Sequence, residues 1–187
     1  MTVTDFMFTC FYNRQRRTFV DNQSHWQTYS RIIYSMTEIS ALPARIIVQG
    51  TIPDSYDPDL LGVIIVDHGS RRTESNAYVS AITRLFQEKT EVQIVESAHM
   101  ELATPDIDTA YQTCVARGAK YIVVHPYFLA PGRHWHEDIP ELARMAAQKH
   151  PDTCCVITPP LGIHPSMIDV MESRIMNALP SKDHRNE

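Results

Sequence analysis

Three short stretches of this 187-residue chain carry side chains able to do chemistry: Asp67-His68-Gly69-Ser70, then Glu101 in the run SAHMELA, then Arg133-His134-Trp135-His136. Each stretch follows an apolar run, so each belongs to a loop at the end of a strand. Two imidazoles and a carboxylate suit a borderline divalent ion such as iron, cobalt or zinc. If His68, Glu101 and His134 converge, coordination positions stay open, the mark of a metal site that reacts rather than one that only braces the fold. Plainer readings exist for each residue taken alone. His68 could cap its turn, His134 and His136 could be surface histidines, and Glu101 could pair with Arg133 or a helix terminus. His99, His125 and His164 read as histidines satisfied by local partners. It is the joint placement at successive strand ends that favours a metal site.

The elements that must position these residues alternate in type from residue 60 onward. Residues 61–66 (LGVIIV) form a continuous apolar run, expected of a strand covered on both faces. A helix is expected over 74–89, with Val79, Ile82, Leu85 and Phe86 on its apolar face. Further strands are expected at 92–95, 121–124 and 154–158. The helices between and after them are expected from Pro105 to Gly118, over 139–149 and over 166–179. Pro105 suits a first helical turn, Asp106 and Asp108 suit its positive end, and Gly118 suits its stop. The pattern βαβαβαβα, with short right-handed connections, predicts an α/β fold: a three-layer, doubly wound, parallel four-stranded sheet. All strands then end on one edge, where open sheets of this kind bind ligands.

Net charge of -5 argues against a nucleic-acid partner, because phosphate binding needs clustered Lys and Arg. Cys10, Cys114, Cys154 and Cys155 include no CxxC pair and read as reduced thiols. No apolar run approaches the ~20 residues of a membrane span. Neither a P-loop nor a GxGxxG run is present, so ATP is not expected to take part. Residues 1–59 read as a poorly structured extension, Arg-rich and acid-poor over the first 35, consistent with a transit peptide or with a start misassigned upstream of Met36. Residues 53–59 read as a linker, 60–180 as the folded domain and 181–187 as a polar tail.

The runs VIIVDHGSRRTESN, IVESAHMELATPDI, GAKYIVVHPYFLAPGRHWHEDIP and ITPPLGIHP stand in the order and spacing of one family. Together they resemble the sirohydrochlorin chelatases, class II chelatases that insert iron or cobalt into a modified tetrapyrrole, and most resemble the plant and algal iron-inserting members. The resemblance implies a chelatase-like fold and insertion of ferrous iron into sirohydrochlorin, giving sirohaem and two protons. A cobaltochelatase of cobalamin synthesis and a non-catalytic metal or tetrapyrrole carrier are the alternatives, with a zinc hydrolase a weaker third.

By the same resemblance, His68 and His134 hold the metal and face the macrocycle, His68 also accepts a pyrrole proton, and Glu101 assists. Leu129, Ala130, Pro131, Gly132, Arg133 and His134 would line the tetrapyrrole, with Ser70 and Arg71 on the substrate side. The carboxylates of the substrate call for cations at the rim, first Arg133, then Arg71 and Arg72. Phe128, Leu129 and Trp135 could cover the ring face. Thr104 stands where many relatives carry an acid, which leaves more of the work to Glu101. With no cysteine after Cys155, no iron–sulfur cluster is expected, and no cofactor is expected to be permanently bound; iron or cobalt is a substrate. A homodimer is implied, since only one copy of the repeat is present. The plant-like wording implies the plastid stroma, with the cytoplasm as the alternative.

Overall fold

The computed structural model describes residues 45–52, 55 and 57–179. Residues 1–44 of the expected extension 1–59, and all of the expected tail 181–187, lie outside the described residues. A five-stranded sheet forms the centre: β1 (Ile46–Gln49), β2 (Leu61–Asp67), β3 (Ile94–His99), β4 (Tyr121–Pro126) and β5 (Cys154–Ile157), in the order β1-β5-β4-β2-β3. Four α-helices accompany it: α1 (Thr73–Thr90), α2 (Ile107–Ala116), α3 (Ile139–Gln148) and α4 (Pro165–Asn177). The four parallel strands are those expected from sequence. No described helix is long and apolar enough to cross a membrane.

Alternation along β2 decides the layers. Val63 and Ile65 pack with Val79 of α1 and Val95, whereas a Cβ on Gly62 would meet Ala119 at 2.9 Å and Cys114 of α2 at 3.2 Å. Since successive side chains of a strand point to opposite faces, α1 and α2 lie on opposite faces. Helix α3 joins α2 in its layer. The face toward α2 and α3 is closed: Ile64, Val66, Ile122, Val124, Cys155 and Ile157 are buried there.

Several elements depart from the sequence expectation for identifiable reasons. Strand β1 lies within the stretch read as an extension, yet it pairs antiparallel with β5. Gln49 holds it there by donating from Nε2 to the carbonyls of His150 at 2.9 Å and Thr153 at 3.0 Å. The ordered sheet therefore begins before Leu60. Strand β3 runs on to His99 because it stays in parallel register with β2, Gly62 opposite Ile94 through Asp67 opposite His99. Helix α2 starts at Ile107, not Pro105: Asp106 is its N-cap, accepting from Thr109 N at 2.8 Å, while the Pro105 carbonyl accepts from His99 N. In α1 the buried residues are Val79 and Thr83, four apart, and Leu85 is exposed. Helix α4 buries none of its side chains.

Two thiols mark the closed layer. Burial pushes Cys114 and Cys155 up to about 12. An exposed thiol titrates near 9.0, so between these values the unfolded chain releases protons that the folded chain keeps. Alkaline pH above about 9 therefore favours unfolding. Ellman's reagent at mildly alkaline pH is expected to leave Cys114 and Cys155 untouched until denaturant is added, and the denaturant midpoint should fall as pH rises from 9 toward 12.

Candidate functional site

The chain order creates a crevice at one point of the sheet. From β2 it crosses by α1 to β3 on one side, and from β4 it crosses by α3, on the opposite face, to β5 on the other side. Strands β2 and β4 are neighbours, so the connections diverge between their carboxyl ends. Such a switch point leaves the crevice uncovered by either crossover. His68 follows β2 directly, and His134 lies beyond β4.

Asp67 organises the first loop. Its Oδ1 accepts from Gly69 N at 2.9 Å and from His99 Nδ1 at 2.6 Å. His99 is 2% exposed, so this pair is a braced foundation beneath the loop. Two backbone bonds then sew the loops together: Met100 N donates to the Asp67 carbonyl at 2.8 Å, and Glu101 N to the His68 carbonyl at 3.0 Å. Gly69, at φ +85, is required here, because a Cβ would sit 1.9 Å from the Glu101 carbonyl oxygen. The result brings His68 Nε2 to 3.0 Å from Glu101 Oε1, with both side chains about half exposed. The other ring nitrogen of His68, Nδ1, lies 3.2 Å from the Gly69 carbonyl. Glu101 therefore pairs with His68, not with Arg133.

His134 sits on a helical turn rather than in a loop. Residues His134–Asp138 form a π-helical turn that continues into α3, closed by Ile139 N donating to the His134 carbonyl. Trp135 anchors the turn: it is 1% exposed, and its Nε1 donates to the Thr158 carbonyl at 2.9 Å. His134 Nδ1 meets Asp138 Oδ2 at 2.7 Å. That bond, followed by the field of Arg133, holds the Asp138 carboxyl below its ordinary range. The His134 ring stands edge-on to His68, centroids 5.2 Å apart, and Phe128 flanks it at 6.2 Å.

Of the predicted trio, His68 stands beside both Glu101 and His134. Among the described residues, no three His, Cys, Asp or Glu side chains are placed to hold a metal ion together, so the three-ligand set expected from sequence is not assembled here. The 129–133 stretch forms an exposed lip, with Leu129 69% exposed. Arg133 lies loosely beside Glu137 at 3.7 Å and Asp138 at 3.6 Å. Ser70 faces inward to its own loop: Asn76 Oδ1 accepts from Ser70 N, Asn76 Nδ2 donates to the Ser70 carbonyl, and Ser70 Oγ accepts from Arg72 N. Arg71 and Arg72 are exposed.

Three further histidines have partners of their own. His125 Nδ1 bonds Thr158 Oγ1 at 2.6 Å and burial keeps its pKa low; His164 caps α4, accepting from Ser166 N; exposed His136 lies edge-on to Trp135. Sequence reasoning missed Asp67 and Asp138. The signal for Asp138 was its place four residues after His134, legible only once that segment is known to be helical.

The family model described as CbiX matches residues 62–178. Over 121 residues the chain is 52% identical to the chloroplastic sirohydrochlorin ferrochelatase of Arabidopsis thaliana, covering 65% of this chain and 54% of that protein. Over 118 residues it is 30% identical to a sirohydrochlorin cobaltochelatase of Priestia megaterium, covering 62% and 38%. The solved structure of SirB from Bacillus subtilis with Fe3+ superimposes with a TM-score of 0.60 at 27% identity, covering 64% of this chain and 48% of that one. The chain spans about half or less of the length of these relatives. With the family model matched across most of its sheet and helices, the chain belongs to the CbiX family.

Proposed function

We propose that this protein is a metal chelatase that inserts ferrous iron into sirohydrochlorin, yielding sirohaem and releasing two protons. The observation that carries the reading is the pair of imidazoles, His68 and His134, 5.2 Å apart at the switch point, with Glu101 on one of them. Metallation must strip water from a divalent ion, pass it to four ring nitrogens and remove two pyrrole protons. Neutral imidazoles bind such an ion through nitrogen and accept protons near neutral pH. A closed cage would retain the metal, and an open set can surrender it to the macrocycle. His68 takes a pyrrole proton, and Glu101, half exposed at 3.0 Å, passes it to solvent.

The surroundings suit a broad, polyanionic, flat substrate. Arg133, 74% exposed and only loosely paired, and exposed Arg71 and Arg72 are placed to meet its carboxylates. Leu129 and Phe128 offer apolar surface to the ring. Cobalt is the second reading, favoured by the relative named as a cobaltochelatase; both metals accept nitrogen and oxygen ligands. A homodimer is the expected assembly, supported by the exposed apolar residues Ile168, Met171 and Ile175 of α4. Light scattering should then give twice the 21.4 kDa chain mass. A plastid location is supported by the chloroplastic relative at 52% identity.

The test is an anaerobic assay of the full chain with sirohydrochlorin and ferrous iron, followed by the visible spectrum, with cobalt in parallel. Turnover above the uncatalysed rate is expected, lowered about 100-fold or more by His68→Ala and by His134→Ala. A spectral shift on mixing without turnover would instead identify a carrier. Gly69→Ala should lower turnover comparably, because the added Cβ forces the His68 and Glu101 loops apart; a variant of wild-type rate would remove that contact from the mechanism.

A further inference from the structure

The two histidines differ in what their ring nitrogens already do. His68 has an acceptor beside each, the Gly69 carbonyl at Nδ1 and Glu101 at Nε2, so whichever nitrogen lacks the proton faces an oxygen. His134 has Nδ1 bonded to Asp138, and its Nε2 meets no partner among the described residues. Asp138 stands at the head of α3, yet its side chain caps no backbone N–H there. Its carboxylate is directed to His134 at 2.7 Å, with Arg133 more distant at 3.6 Å. As a half-exposed pair this contact adds little to stability. The turn that carries it is rigid, because Trp135 is buried and bonded through its indole N–H between the two residues.

We propose that Asp138 is a positioning residue: by accepting the Nδ1 proton of His134 it holds that imidazole in the tautomer whose Nε2 lone pair is free, and so makes His134, rather than His68, the first ligand of the incoming divalent ion. A carboxylate behind a metal-binding imidazole fixes its orientation and raises its basicity. His68 then joins once Glu101 yields its Nε2, which suits it to the later, proton-accepting part of the reaction. The inference rests on the chelatase reading for its purpose but not for its test.

The test uses the full-length, metal-free protein with nitrogen-15-labelled histidine, at mildly alkaline pH where imidazoles are neutral, and then titration with Co2+ alone. In the wild type the His134 resonances should report the Nδ1–H tautomer, and Asp138→Ala should abolish that bias. Co2+ affinity should fall about 10- to 100-fold in Asp138→Ala, and less in Asp138→Asn, which keeps an oxygen acceptor, with the melting temperature near wild type. If Asp138→Ala fails to fold, Asp138→Asn and Asp138→Glu carry the comparison. In a His134→Ala background the Asp138 substitution should cost nothing further, and His134→Ala should weaken Co2+ binding more than His68→Ala does. Unchanged tautomer or affinity in Asp138→Ala, additive losses in the double variant, or a larger loss in His68→Ala would each overturn the proposal. Absent turnover with these binding results intact would sink the chelatase reading and leave this one standing.

Discussion

The parallel pairing of β2 with β3 on one side and β4 on the other is the constraint on which the rest depends. Because the chain leaves β2 over one face and β4 over the opposite face, their carboxyl ends share a crevice that no crossover can cover. The same register that sets Asp67 opposite His99 puts the next residues, His68 and Met100, at the start of two loops that must run side by side. Two backbone hydrogen bonds and one buried carboxylate–imidazole pair follow from that adjacency. Glu101 reaches His68 as a consequence of strand register.

Stability and chemistry are divided by depth. Below the edge lie groups that are buried or half-buried and satisfied: His99 on Asp67, His125 on Thr158, and the Trp135 indole on the Thr158 carbonyl. Above it lie His68, Glu101, His134 and Arg133, partly exposed and held by few contacts. Exposed pairs of this kind contribute little to folding. Their access to water suits groups that must release a metal and hand on protons. Buried polar pairs beneath them supply the precision that exposed side chains cannot hold by themselves.

The four parallel strands and the loops that carry His68, Glu101 and His134 were legible in the sequence because their signals are local: apolar runs, turn residues, and chemistry-bearing side chains just after each run. Less legible were elements whose stability comes from partners distant along the chain. Strand β1 is four residues with no strong pattern, and it exists because β5 offers an unpaired edge and Gln49 finds carbonyls about a hundred residues away. The extra length of β3, down to His99, depends on Asp67 32 residues before it. The exposure of Leu85 reflects the strands that α1 covers, which periodicity within the helix does not specify.

The sequence by itself determined the order of the four parallel strands and their helices, the edge on which the polar loops gather, and the residue types available there, since each follows from nearest-neighbour patterning. Only the tertiary structure decided which of those residues meet and in what state: that Glu101 takes His68, that Arg133 does not take Glu101, and that His134 lies on a helical turn backed by Asp138. The physical reason is that hydrogen bonds are short and directional. Whether two side chains fall within about 3 Å of one another depends on strand register, a buried Trp135 and the turn geometry together, and no single stretch of sequence contains all three.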